Sequence, residues 1–109
     1  MNQPASSPSP RTRLMDVLVE GVRTRLAEVG EPAPSELGEG TRLVGERAVI
    51  GSLALVSLIV ELEQTVEDEW GLVLTLADER AMSQTHSPFR TIGTLATYAA
   101  DLIAESSAA

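Results

Sequence analysis

The stretch from Ser52 to Trp70 constrains this chain more than any other. It contains neither Gly nor Pro, it is bracketed by Gly51 and Gly71, and its apolar residues recur at helical spacing. On a wheel of 100° per residue, Leu55, Leu58, Ile59, Leu62 and Val66 share one face, which predicts an amphipathic helix with that face turned to a core. Ser52 is expected to cap its start and Gly71 to close its end. Val56, Val60, Glu63 and Glu67 form a second, mixed stripe that begins beside Ser52. Exposed valines at the head of that stripe need an explanation.

A helix of this kind needs others to pack on. Upstream, Leu14, Val17, Leu18, Val22, Leu26 and Val29 recur at helical spacing, and Gly30 followed by Pro32 supplies a stop. Downstream, Ile92, Leu95, Ala99, Leu102 and Ile103 predict a last amphipathic helix capped by Thr91. Between Gly71 and Ser87 the run Leu72, Val73, Leu74 has the look of a short strand, but Thr75 to Asp78 fits a capping box and LADERAM reads better as a short helix. The long connection EPAPSELGEGTRLVGERAVIG is anchored by Leu37, Leu43, Val44, Val49 and Ile50, which favours a functional loop over a disordered one. Residues 1–10 are rich in Pro and Ser and read as a disordered tail, 11–105 as one helical domain, and 106–109 as a fraying end. The predicted order is long helix, long loop, helix, short helix, helix: an all-α fold.

Composition agrees with helices and limits the chemistry. Hydrophobic residues make up 43% of the 109 and aromatic ones only 3%, so the core must be built from Leu, Val, Ile and Ala. Sixteen acidic residues face eight basic ones, all Arg, for a formal charge of -8. Direct binding to nucleic acid is disfavoured, and partners with positive patches are expected instead. Without Cys there is no disulfide, thiolate metal site or thiol nucleophile, so any sulfur chemistry must arrive on an attached group. The densest apolar stretch, Val49 to Val60, is too short to span a bilayer, and a cytoplasmic monomer is expected.

Few side chains offer catalysis. Ile50-Gly51-Ser52-Leu53-Ala54 does not fit the Gly-x-Ser-x-Gly elbow of a hydrolase, and His86, the sole imidazole, lies in a polar loop where a solvated role is the simpler reading. Ser52 as an isolated residue is simply a helix cap. Trp70 reads as a plug or cover at its helix end, and Met15 and Met82 as packing. Glu61, Glu63, Glu67, Asp68 and Glu69 crowd one helix, with no Arg between Ala48 and Glu79 to balance them. Beside exposed Val56 and Val60, that run looks more like a docking surface for a basic partner than like solubilising charge. Arg47, Arg80 and Arg90 flank the loops and offer the acidic excess only weak surface pairing.

The residues GSLALVSLIVELEQTV resemble the second-helix segment of acyl carrier proteins, in which a Ser begins the helix and is followed by Leu. LTLADERAM, SPFR and TIGTLATYAADLI resemble the third-helix region and final helix of stand-alone bacterial carrier-like proteins. Together the segments cover roughly Leu14 to Ile103, the first helix by pattern alone. The residue before the Ser is commonly Asp in that family and is Gly51 here. The resemblance implies an acyl-carrier-like four-helix bundle with a long loop between helices 1 and 2 and a short third helix. It also implies a 4'-phosphopantetheine group transferred from coenzyme A to Ser52 by a separate phosphopantetheinyl transferase using a magnesium ion. The arm would carry acyl intermediates as thioesters in fatty acid or secondary metabolite synthesis, the chain itself catalysing nothing. Gly51 and Leu53 would flank the arm, and Val56, Val60, Glu61, Glu63 and Glu67 would meet the transferase and the enzymes that load or use the acyl group. A second reading stays open, favoured by Gly51: an unmodified interaction module that keeps the bundle and its acidic face.

Overall fold

Ser9 sets the first helix. Its side chain accepts a hydrogen bond from the Thr12 N–H and Pro10 follows it at the first helical position, where the missing N–H costs nothing. The computed structural model describes residues 9–76 and 88–108. Helix α1 spans Pro10–Glu28, so the cap and first residue come from the stretch assigned to the tail. The helix ends in a Schellman motif: Gly30, at φ 75°, donates to the Ala27 carbonyl and Glu31 to that of Leu26. Val29 falls at this cap and is 70% exposed, not in the core as its spacing suggested.

Helix α2 spans Ser52–Trp70 and closes on Gly71 in the left-handed conformation, as expected. Leu58, Ile59, Leu62 and Val66 are buried, with Leu55 and Trp70 half-buried against them. Helix α3 spans Ile92–Ala108. At its start Thr91 and Thr94 cap each other, each backbone N–H donating to the other's Oγ1, at 3.1 and 3.0 Å. Helical geometry continues past Ile103 through residues read as a fraying end, because no Gly or Pro interrupts them. Leu72 to Leu74 form no strand, and no sheet occurs among the described residues. The short helix expected over LADERAM lies outside the described residues from Ala77 onward.

The fold is an all-α globule in which α1 packs against both α2 and α3, while no Cα atom of α2 comes within 8 Å of one in α3. Loop side chains complete the core: Leu43, Ile50, Leu76 and Phe89 join the same cluster as the helix faces. The long loop anchors therefore do structural work, Leu43 and Ile50 buried and Leu37, Val44 and Val49 half-buried. α1 and α2 run antiparallel, with Arg13 bonded to Glu69 at one end and Arg25 to Glu61 at the other. Buried Gly21 lies at the crossing, where an added Cβ would sit 2.5 Å from Leu58 Cδ1.

The long loop is pinned to the amino end of α3. Ile92 donates to the Thr41 carbonyl, Gly93 to that of Glu39, and Leu43 to that of Arg90. A Cβ on Gly93 would lie 2.8 Å from the Glu39 carbonyl oxygen, so only glycine permits this approach. Arg11 clamps the junction, its Nη1 and Nη2 donating to the two Glu39 carboxylate oxygens at 3.0 and 2.6 Å and its Nε to Thr97 Oγ1 at 3.0 Å. These hydrogen bonds hold the Glu39 carboxyl below the usual glutamate range, against a smaller desolvation effect. A carboxylate with a depressed folded-state pKa stabilises above its unfolded pKa and loses that contribution as pH falls through the folded value. The Glu39 side-chain carbon, followed by NMR, is therefore expected to titrate at lower pH in the unaltered chain than in Arg11→Ala. An unchanged Glu39 titration in Arg11→Ala would show that the clamp does not form in solution.

Candidate functional site

Each helix start must find partners for its free N–H groups. α1 has Ser9 and a proline. α3 is fully served, with Ile92, Gly93 and Thr94 donating to Thr41, Glu39 and Thr91. α2 differs. Its N-cap is Gly51, which has no side chain to offer, and the first amide with a backbone partner is that of Leu55, which donates to the Gly51 carbonyl. Among the described residues, the N–H groups of Ser52, Leu53 and Ala54 have no acceptor.

This corrects the sequence reading of Ser52 as a cap. Ser52 is the first helical residue, exposed, and its hydroxyl makes no hydrogen bond among the described residues. An N-cap hydroxyl would be tied to an amide of the first turn; one position further on, it is released to solvent. Leu53 beside it is 87% exposed, and a Cβ added at Gly51 would meet nothing within 4 Å. The first turn of α2 carries no acidic side chain, so the partial positive charge at this helix end is uncompensated. An exposed hydroxyl, open amides and open space fit a covalently attached phosphodiester such as that of phosphopantetheine.

From this end a strip of apolar side chains runs down the helix. Val56 and Val60 are 56% and 54% exposed, as the wheel implied. The expected carboxylates separate into two kinds. Glu61 faces α1, where Arg25 Nη1 bonds it at 2.8 Å while donating also to the Gly21 carbonyl, and Arg25 Nη2 donates to Ser57 Oγ. Glu63 is half-buried, and its Oε2 accepts the Leu76 N–H at 2.7 Å, holding the chain that follows the helix. Both acids are thus engaged within the molecule. Glu69 is likewise bonded to Arg13. Glu67 and Asp68 are exposed, and their carboxylates make no hydrogen bond or ion pair among the described residues. No three carboxylates converge as metal ligands among the described residues.

Sequence reasoning missed Val73, which is 79% exposed and lines a small cleft together with Val60, Glu63 and Glu67 of α2. Its signal was alternation: after Gly71 the chain is irregular, with Leu72 and Leu74 half-buried, Leu76 buried and Val73 and Thr75 exposed, a period of two rather than a helical one. Two concavities among the described residues lie away from Ser52, one of 530 Å³ against Arg11, Glu39 and the start of α3 and one of 610 Å³ between α1 and α2. Neither has Ser52 on its wall, so the site is located by its exposed hydroxyl and open amides, not by depth. His86, Met82 and Arg80 fall outside the described residues. No described helix is long and apolar enough to cross a membrane. No family model, curated protein or solved structure matches the chain.

Proposed function

We propose that the chain is an acyl-carrier-like protein whose Ser52 hydroxyl accepts a 4'-phosphopantetheine arm from coenzyme A. The observation that carries this reading is the unengaged Ser52 hydroxyl at the uncapped amino end of α2. In the transfer, Ser52 Oγ forms a phosphoester bond to the pantetheine-side phosphorus, the phosphoanhydride bond of coenzyme A breaks with its electron pair leaving on the adenine nucleotide, and the serine proton passes to a base of the transferase. The first turn of α2 carries no acidic side chain that could serve as this base. The arm supplies, when attached, the thiol that a chain without Cys lacks. The role of this chain's residues is to present and anchor: the free amides of α2 favour the phosphate charge, and Leu53, Val56 and Val60 offer a dry contact to the enzyme that approaches it.

Intact mass measured after incubation with coenzyme A, magnesium and a phosphopantetheinyl transferase should rise by one arm per chain. No gain with several transferases would remove the carrier reading.

Gly51 supports a second reading, an unmodified interaction module, because the residue before the serine offers no carboxylate to a transferase or its metal ion. That reading predicts a partner whose binding survives Ser52→Ala and weakens with Val60→Glu.

A further inference from the structure

We propose that residues 32–41 of the long loop form a strap that acid releases from the head of α3 while the helical core stays closed. Burial marks out the unit. Pro32 to Glu36 are all exposed, and from there to Arg42 nothing is more than half-buried; Leu43 is the first side chain of the loop to enter the core. A segment with so little buried apolar surface opens at a small fraction of the global cost unless polar contacts hold it. Its ends are fixed by backbone bonds outside it, from the Glu31 N–H to the Leu26 carbonyl and from the Val49 N–H to the Arg42 carbonyl. Between those hinges two bonds fasten it to α3, from the Gly93 N–H to the Glu39 carbonyl at 2.9 Å and from the Ile92 N–H to the Thr41 carbonyl at 3.0 Å.

The rest of the anchorage is electrostatic. Arg11 stands in the first turn of α1, where the positive end of the helix disfavours a cation and no acidic neighbour compensates it. Its partners lie on other elements: both Glu39 carboxylate oxygens on the strap, and Thr97 Oγ1 and the Gly93 carbonyl on α3. One guanidinium thus joins α1, strap and α3, and protonating Glu39 removes the charge that binds the strap to the other two. Hydrogen bonds from Arg11 hold the Glu39 carboxyl below its usual range. The closed strap is therefore favoured above the ordinary glutamate value and loses that advantage as pH falls through the closed-state value. Tyr98 and Asp101 of α3 line the same concavity as Arg11 and Glu39, and Glu36 is exposed on the strap itself. Asp101 and Glu36 carry the same sign as Glu39, so their protonation works toward closure and the release belongs to Glu39. No residue of the Ser52 site belongs to the strap, and the inference stands whether or not an arm is attached.

The test is native-state amide hydrogen exchange of the unmodified chain by NMR, expressed as protection relative to each residue's intrinsic rate. Ile92 and Gly93 open α3 and have no carbonyl of their own helix to bond, so their protection reports the strap. It is expected to fall at least about fivefold between neutral pH and mild acid, and by a similar factor at neutral pH in Glu39→Gln and in Arg11→Ala. Leu43 and Leu95, whose N–H groups bond the Arg90 and Thr91 carbonyls, should keep their protection throughout and so report that each variant is folded. Acid should add nothing further in Glu39→Gln, whereas Asp101→Asn should respond to acid as the parent does. Gly93→Ala, whose Cβ would meet the Glu39 carbonyl oxygen at 2.8 Å, should lift the strap at neutral pH and bring Ile92 to its acid level. The proposal is overturned if Leu43 and Leu95 lose protection together with Ile92 and Gly93. It is equally overturned if Glu39→Gln exchanges as slowly as the parent at neutral pH, or if the acid response persists undiminished in that variant.

Discussion

Ser52→Ala should abolish attachment of phosphopantetheine altogether while leaving the stability of the fold within about 0.5 kcal/mol of the parent. The first outcome follows from chemistry: alanine has no oxygen to form the phosphoester. The second follows from position. Were Ser52 the helix cap, alanine would cost roughly 0.5 to 2 kcal/mol, typically about 1. At the first helical position, exposed and without a hydrogen bond among the described residues, its hydroxyl contributes nothing that alanine removes. Intact mass reads the first outcome and urea denaturation the second. A stability loss above 1 kcal/mol would place the hydroxyl in a capping role and take away the argument that it is free to react.

Leu18→Ala should be the costliest of the simple core truncations, at about 3 to 4 kcal/mol. Leu18 has no exposed surface and lies midway along α1, the helix against which α2 and α3 both pack, so its removal leaves a void in a support that the described helices share. Against a total stability of about 5 to 15 kcal/mol for a domain of ordinary size, such a loss is a large share of the whole. With a urea dependence of about 1.5 kcal/mol per molar, the unfolding midpoint should drop by about 2 M. Val29→Ala on the same helix should move it by less than about 0.3 M, because Val29 is 70% exposed. Equal effects at the two positions would mean that α1 is not packed as described.

These two residues show what the sequence made legible. The spacing of Leu14, Leu18, Val22 and Leu26 was enough to find the buried face, since a helical period reports directly which side chains lie together. The same period carried one turn too far included Val29, because spacing does not reveal where a Schellman motif ends the helix. Gly51 and Ser52 were both noticed as a helix start, but which of them is the cap depends on backbone angles, and Gly51 adopts the extended cap conformation. Phe89 escaped notice because it follows Ser87 and Pro88 in a polar stretch, and only the tertiary packing buries it. The acidic run was visible, yet sequence alone could not divide it. That division depends on Arg25 reaching Glu61, Leu76 reaching Glu63 and Arg13 reaching Glu69, contacts between residues distant in the chain.

The charges on α2 are sorted along its axis: no charged residue precedes Glu61, and five acids follow from there to the end. Ser52 and Glu67 are separated by a helical rise of roughly 22 Å, more than twice the screening length of about 8 Å at physiological ionic strength. The helix is thus a polarised rod whose two poles are electrically insulated from each other by ordinary buffer. Added salt should slow the arrival of a basic visitor at the negative pole and leave the reactivity of the hydroxyl at the other pole untouched, so that how often an encounter happens and what it accomplishes are set by separate ends of one element.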